Sequence, residues 1–209
     1  MDQKLIDALA DLREEETLSI VKDMLEEGED PVSILELARE GMRVVGDRFE
    51  RGDYFLSELV VAAAVFQQVM EVMRPELEKA VVEPVGQIVI GTVEGDIHDI
   101  GKNIAIALLE AAGFKVHDLG VDVPPSEFIA AIEDKEPDIV GMSGLLTLAI
   151  ESMRKSVEAI EQAGLRDQVK ILVGSGRLDD TGCDYIGADA WTDEAAAGVK
   201  ICNNWIGGK

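Results

Sequence analysis

Aromatic side chains are scarce in this 209-residue chain: Phe, Tyr and Trp make up 4 % of it. Hydrophobic residues make up 47 %, so Leu, Ile, Val, Ala and Met must fill whatever core forms. Basic residues are few as well, 19 Lys and Arg against 42 Asp and Glu, for a formal net charge of −23. A chain so acidic repels a phosphate backbone and an anionic lipid surface, which excludes nucleic acid as a partner and weighs against a membrane. Cysteine occurs only at Cys183 and Cys202, with no metal-ligand spacing around either. That points away from a disulfide framework or thiolate metal site and toward a reducing cytoplasm. Met1 to Arg13 is polar and amphipathic, unlike a secretory leader. The longest apolar run, Leu59 to Phe66, falls short of the roughly 20 residues a membrane helix needs.

What is present divides near residue 84. Before it, apolar residues recur at helical spacing. Leu5, Leu9 and Leu12 form a first stripe within Lys4 to Arg13, and Leu18, Val21 and Leu25 a second within Thr17 to Glu27. Asp30-Pro31 opens a third helix, the carboxylate capping free N–H groups and Pro accepting the first helical position. It runs to about Arg51, before Gly52. A fourth starts near Ser57 and continues to about Glu78, carrying Leu59, Ala63, Phe66, Met70 and Met73. Its centre, Leu59 to Val65, is apolar on every face, which predicts burial from more than one side. Four helices with short connections predict a bundle over 1–83.

After the linker Glu83-Pro84-Val85-Gly86 the period changes. Strand-length apolar runs at Gln87 to Val93, Lys115 to Leu119, Asp138 to Leu145, Val169 to Val173 and near Ala190 alternate with helical patterns. Ile88-Val89-Ile90 and Ile139-Val140 read as strands buried on both faces, as a parallel sheet requires. Five such units predict a flavodoxin-like (Rossmann-like) five-stranded parallel sheet over 84–209, following the helical bundle. Ligands of such sheets sit beyond the carboxyl ends of the strands, at the loops after Val93, Gly120, Met142 and Val173.

The loop after the first strand reads Gly95-Asp96-Ile97-His98-Asp99-Ile100-Gly101-Lys102-Asn103. Imidazole ligates transition metals, and a ligating His usually donates its other N–H to a carboxylate. Asp96, two residues before His98, is placed to accept it. Asp99 is placed to cap the next helix. A single His in such a loop is more often an ordinary loop residue. With no second His nearby and no Cys cluster, an all-protein zinc site lacks ligands. One protein ligand suffices where a tetrapyrrole-like macrocycle fills the equatorial positions.

Asp96-x-His98-x-x-Gly101, then Ser143-Gly144-Leu145 after the third strand, then Gly174-Ser175-Gly176 after the fourth, resemble the ordered motifs of cobalamin-binding modules. The chain is similar over almost its whole length to the corrinoid proteins of methyltransferase systems, which are related to the cobalamin-binding module of methionine synthase. Phe49-Glu50-x-Gly52 and Tyr54-Phe55-Leu56 resemble their helical cap, and Ile186-Gly187-Ala188-Asp189-Ala190 their C-terminal end. The resemblance implies a base-off/His-on cobalamin or related corrinoid, with His98 replacing the cofactor's own base as axial ligand of cobalt. It implies that Asp96 accepts the other imidazole N–H and that protonation of this pair assists release. Gly101 gives the loop close approach, Ser143 and Leu145 line the channel of the displaced nucleotide tail, and Gly174 and Gly176 let the tail lie on the sheet. The implied role is a methyl carrier without turnover of its own. It would be served by a substrate methyltransferase (for a methylamine, methanol or an aryl methyl ether), an acceptor methyltransferase such as one using tetrahydrofolate, and a reductive activator.

Two positions depart from the pattern. Ser175 stands where a second Gly is expected, so its side chain narrows the tail channel or contacts the tail. Ala149 stands where the methionine synthase type has a Ser bonded to the Asp, leaving Thr147 or water to substitute. Rival readings are a cobalamin-dependent regulator, a mutase subunit, or a flavodoxin-like domain without corrinoid. The first lacks a basic output module here, the second a catalytic barrel, and the third explains neither the three motifs nor the bundle.

Overall fold

The computed structural model describes residues 1–77 and 83–207, and it divides into two compact units, Met1–Glu83 and Pro84–Lys209. The first holds α1 (Asp2–Ala10), α2 (Glu14–Glu26), α3 (Pro31–Glu50) and α4 (Leu56–Leu77). The expected continuation of α4 to Glu78 lies outside the described residues. Asp30 caps α3 as anticipated, its carboxylate accepting from Ser33 N at 3.1 Å. Ile34, Leu35, Ala38, Met42 and Val45 form the buried stripe of α3. Gly41 in that stripe lets α1 come close, since a Cβ there would meet Leu9 Cβ at 3.0 Å.

The end of α3 is tied to the end of α1. Arg48 Nη1 donates to Ala10 O (2.6 Å), Asp11 Oδ1 (2.9 Å) and Tyr54 Oη (2.7 Å), and Tyr54 donates to Ala10 O (2.8 Å). This fixes the turn that leads into α4. There one expectation is corrected. The apolar centre of α4 is buried on one side only: Leu59, Ala62, Ala63, Val65 and Phe66 face the core, whereas Val60 and Val61 are 41 % and 42 % exposed. Together with exposed Phe55 and Leu56 they leave an apolar strip uncovered. The membrane argument from run length is also revised. Helix α4 is long and apolar enough to cross a membrane by length and composition, with a mean hydropathy of 1.4, yet its Leu59, Ala62, Val65, Phe66, Val69 and Met73 are buried.

The second unit contains β1 (Gln87–Thr92), α5 (Ile100–Ala111), β2 (Lys115–Asp118), α6 (Pro125–Lys135), β3 (Ile139–Ser143), α7 (Thr147–Gln162), β4 (Lys170–Gly174), α8 (Asp180–Ile186), β5 (Ala190–Thr192) and α9 (Ala195–Gly207). All pairings are parallel, and the strand order is β2-β1-β3-β4-β5. That is the doubly wound, flavodoxin-like arrangement. Alternate residues serve the two faces. Val89, Val140, Met142, Ile171 and Val173 pack with Phe128, Met153, Val157 and Ile160. Ile88, Ile90 and Ile139 pack with Ile106, Leu109, Phe114 and Cys202. Both cysteines are buried and free, and burial pushes the Cys202 thiol up to about 12, so neither is a reactive nucleophile.

Candidate functional site

The order reverses between β1 and β3, where the chain leaves β1 for β2 on one side and returns to β3 on the other. At such a switch point the loops diverge and open a crevice beyond the strand ends. The loop from β1 to α5 enters it through a turn in which Asp96 N donates to Val93 O (3.1 Å). Gly95 sits at φ +82°, a left-handed conformation that glycine adopts without penalty.

Asp96 is held by two neighbouring segments. Its Oδ1 accepts from His98 N at 2.9 Å and lies 2.6 Å from His98 Nδ1. Its Oδ2 accepts from Leu145 N at 2.7 Å and Leu146 N at 3.0 Å. Burial pushes the Asp96 carboxyl up. The amides of Leu146 and His98, the His98 ring and the Leu145 amide outweigh that, and hold it well below the usual carboxylate range. An ionised carboxylate only accepts, so Nδ1 of His98 carries the proton of this bond, and in the neutral imidazole Nε2 presents its lone pair. The Asp96 side chain is 0 % exposed and that of His98 48 %, so the buried partner orients an accessible nitrogen. Among the described residues no group of three or more His, Cys, Asp or Glu converges, leaving His98 a single nitrogen donor.

The segments that meet at Gly95 and Asp96 also carry exposed apolar side chains. Ile97 is 71 % exposed, Ile100 63 % and Leu148 79 %, and Val121, Leu145 and Leu146 are also exposed. They come from the loops after β1, β2 and β3 and from the first turns of α5 and α7.

The other expected residues fall along the same edge. Strand β3 ends at Ser143, two residues before the anticipated Leu145, because the Leu145 amide leaves the ladder for Asp96. The register sets Thr92 beside Ser143 and Ser143 beside Gly174, with Gly174 beside Thr192, one row on the face that carries Ile88 and Ile139. A Cβ at Gly101 or Gly176 would meet nothing within 4 Å, and one at Gly174 only Met142 O at 3.9 Å. The protein itself therefore does not demand glycine at these positions; each leaves room above the backbone. Ser175 is buried, and its Oγ accepts from Arg177 N at 3.3 Å, so its hydroxyl closes its own loop. Asp99 occupies the N-cap of α5 without a capping bond; its carboxylate accepts instead from Asn103 Nδ2 at 3.1 Å. Thr147 stands exposed at the start of α7, and two backbone amides occupy the Asp96 oxygen that the absent Ser at position 149 was expected to serve.

The sequence reading missed Gly144 and Thr92. Gly144 was an unread position inside Ser143-x-Leu145, although a Cβ there would lie 2.5 Å from Ala149 Cβ. Thr92 Oγ1 is buried with no hydrogen-bond partner, and a hydroxyl ending an apolar strand was the available signal. Burying an unpaired hydroxyl is costly, so Thr92→Val is expected to stabilise the cofactor-free protein by about 1 kcal/mol. Urea denaturation measures this, and a loss of stability would show that the hydroxyl finds a partner in solution.

A B12 binding domain model matches residues 86–200, and a second B12 binding domain model matches residues 1–74. The chain is 40 % identical over 195 residues to trimethylamine corrinoid protein 1 of Methanosarcina acetivorans, covering 92 % of this chain and 90 % of the relative. It superimposes on the crystal structure of a cobalamin-binding protein from Desulfitobacterium hafniense with a TM-score of 0.74 and 38 % identity, covering 98 % of each chain. For the methanol:cobalamin methyltransferase complex MtaBC of Methanosarcina barkeri the TM-score is 0.86 at 28 % identity, covering 99 % of this chain and 79 % of that one. With both units matched and near-complete coverage of such relatives, the chain belongs to the corrinoid (B12-binding) protein family of methyltransferase systems.

Proposed function

We propose that the chain carries a corrinoid in the base-off/His-on form and serves as the methyl carrier between two methyltransferases. The observation that carries this reading is the Asp96–His98 pair: a buried carboxylate fixes Nδ1–H and leaves Nε2 free to ligate, beyond the carboxyl ends of the strands. When bound, the cobalt supplies a nucleophilic centre that accepts and gives up a methyl group. The chain's own residues do the rest. His98 would offer a nitrogen to the cobalt, and Asp96 would set its tautomer and raise its basicity. Protonation of the pair favours release, since imidazolium cannot ligate metal. Ile97, Ile100 and Leu148 exclude water from the ligating face. Gly101 lets the loop approach the ring, Ser143 and Leu145 border the tail channel, and the open space over Gly174 and Gly176 accepts the tail.

The relative named for trimethylamine favours a methylamine as donor, delivered by a substrate methyltransferase. The acceptor methyltransferase uses a nucleophile such as tetrahydrofolate, a reductive activator restores oxidised cobalt, and the cycle runs in the cytoplasm. The test is reconstitution with hydroxocobalamin, reduction to Co(II), and electron paramagnetic resonance of protein grown with ordinary or nitrogen-15 histidine. The nitrogen hyperfine pattern is expected to change with the label. An unchanged pattern would leave the cofactor's own base on cobalt and overturn the reading.

A further inference from the structure

The loop after β2 also reaches the His98 segment, through a residue with an unusual backbone. Positive φ occurs at three non-glycine residues among those described: Leu12, Asp122 and Glu136. Leu12 follows α1 and Glu136 is the C-cap of α6, where a left-handed residue commonly ends a helix. Asp122, at φ +54°, ends no helix. From this conformation it makes two hydrogen bonds to the ligating loop. Its Oδ1 accepts from Gly95 N at 2.7 Å, and its own N–H donates to Asp96 O at 3.0 Å.

The segment on either side of Asp122 is anchored, which is why the strained conformation persists. Asp118 Oδ1 accepts from Gly120 N at 2.9 Å and from the buried Lys102 Nζ at 2.7 Å. Gly120 O accepts from Thr92 N at 3.0 Å, and Val123 N donates to Thr92 O at 2.9 Å. Asp96 is thus pinned at both ends, its side chain by the amides after β3 and its backbone by Asp122 after β2. The His98 ring, bonded to Asp96 Oδ1, takes its orientation from that frame.

We infer that Asp122 is a positioning residue for His98, clamping Gly95 and Asp96 so that the imidazole stands in ligating geometry before any ligand arrives. The ordering is then completed during folding and not demanded at binding. That this geometry serves ligation rests on the corrinoid reading; the clamp itself is a property of the cofactor-free chain.

Three variants separate its parts. Asp122→Gly keeps the left-handed backbone and removes the acceptor, Asp122→Asn keeps both, and Asp122→Ala removes the acceptor and adds strain. In the cofactor-free protein, Asp122→Gly is expected to speed amide exchange at Gly95 about tenfold and to mix the His98 tautomers seen by nitrogen-15 NMR. Asp122→Asn should stay near wild type. With hydroxocobalamin bound and reduced, the ratio of His-on to His-off cobalt should fall about fivefold to tenfold in Asp122→Gly. Wild-type exchange, a single tautomer and an unchanged ratio in Asp122→Gly would overturn the inference. If wild-type protein takes up no cobalamin, the functional proposal fails, and the Gly95 exchange and His98 tautomer of the cofactor-free variants still decide whether Asp122 positions the ring.

Discussion

Asp96→Ala is expected to destabilise the protein by about 3–5 kcal/mol, whereas His98→Ala should change stability by no more than about 1 kcal/mol. The carboxylate accepts from three backbone amides and an imidazole, and its removal leaves the backbone donors of Leu145 and Leu146 without that acceptor. Hydrogen bonds to a charged group are worth about 1.5–3 kcal/mol each. His98 is half exposed and hangs on this frame without supporting it. Both variants should lose histidine coordination, but only Asp96→Ala should shift the denaturation midpoint strongly. The pH dependence follows in sign. The folded Asp96 is depressed below its usual value, so its contribution is complete above the unfolded pKa of about 3.9. It is lost as pH falls through the lower folded value. Wild type and Asp96→Ala should therefore differ most at neutral pH and converge in acid. Equal stability of the two at neutral pH would contradict the network drawn here.

Gly144→Ala is expected to cost about 2–3 kcal/mol and to disturb coordination through a single methyl group. The added Cβ would lie 2.5 Å from Ala149 Cβ, 3.2 Å from Met153 Cε and 3.5 Å from Asp96 Oδ2. Met153 can swing aside, but Ala149 is fixed to the first turn of α7 and cannot. Either α7 retreats or the loop carrying Leu145 N and Leu146 N lifts from Asp96. Ala149→Gly removes the obstacle at about 1 kcal/mol of helix propensity. Chemical denaturation of the four proteins of this cycle should show the double variant more stable than the sum of the single losses. Simple additivity would mean that Gly144 is not required by this contact.

The two halves of the fold are visible in sequence because each rests on local periodicity: the stripe of α3, the cap at Asp30, the apolar runs Ile88 to Ile90 and Ile139-Val140. The likeness of the Asp96, Ser143 and Gly174 segments to known motifs pointed to one edge. What escaped is set by partners distant in sequence. Nothing near Leu145 says that its amide abandons the sheet for a carboxylate 49 residues earlier. Leu145 is expected to line a channel, and its backbone amide has a further partner in Asp96 that its sequence neighbours do not announce. The apolar residues of α4 carry no mark of which side remains bare, so Val60 and Val61 read as core. Asp122 gives no hint of its left-handed backbone, since a turn aspartate has many conformations open to it.

The span between Asp96 and the amides of Leu145 and Leu146 has a consequence for synthesis. A nascent chain exposes the His98 segment well before β3 has emerged, and for that interval the carboxylate has no amides to hold it. A truncated product ending before Ser143 would carry the full Asp-x-His-x-x-Gly string and still lack an oriented imidazole. On the proposed reading, the full frame that orients His98 waits until β3 docks beside β1. Grafting the short string alone onto another protein would transplant the letters and leave the chemistry behind.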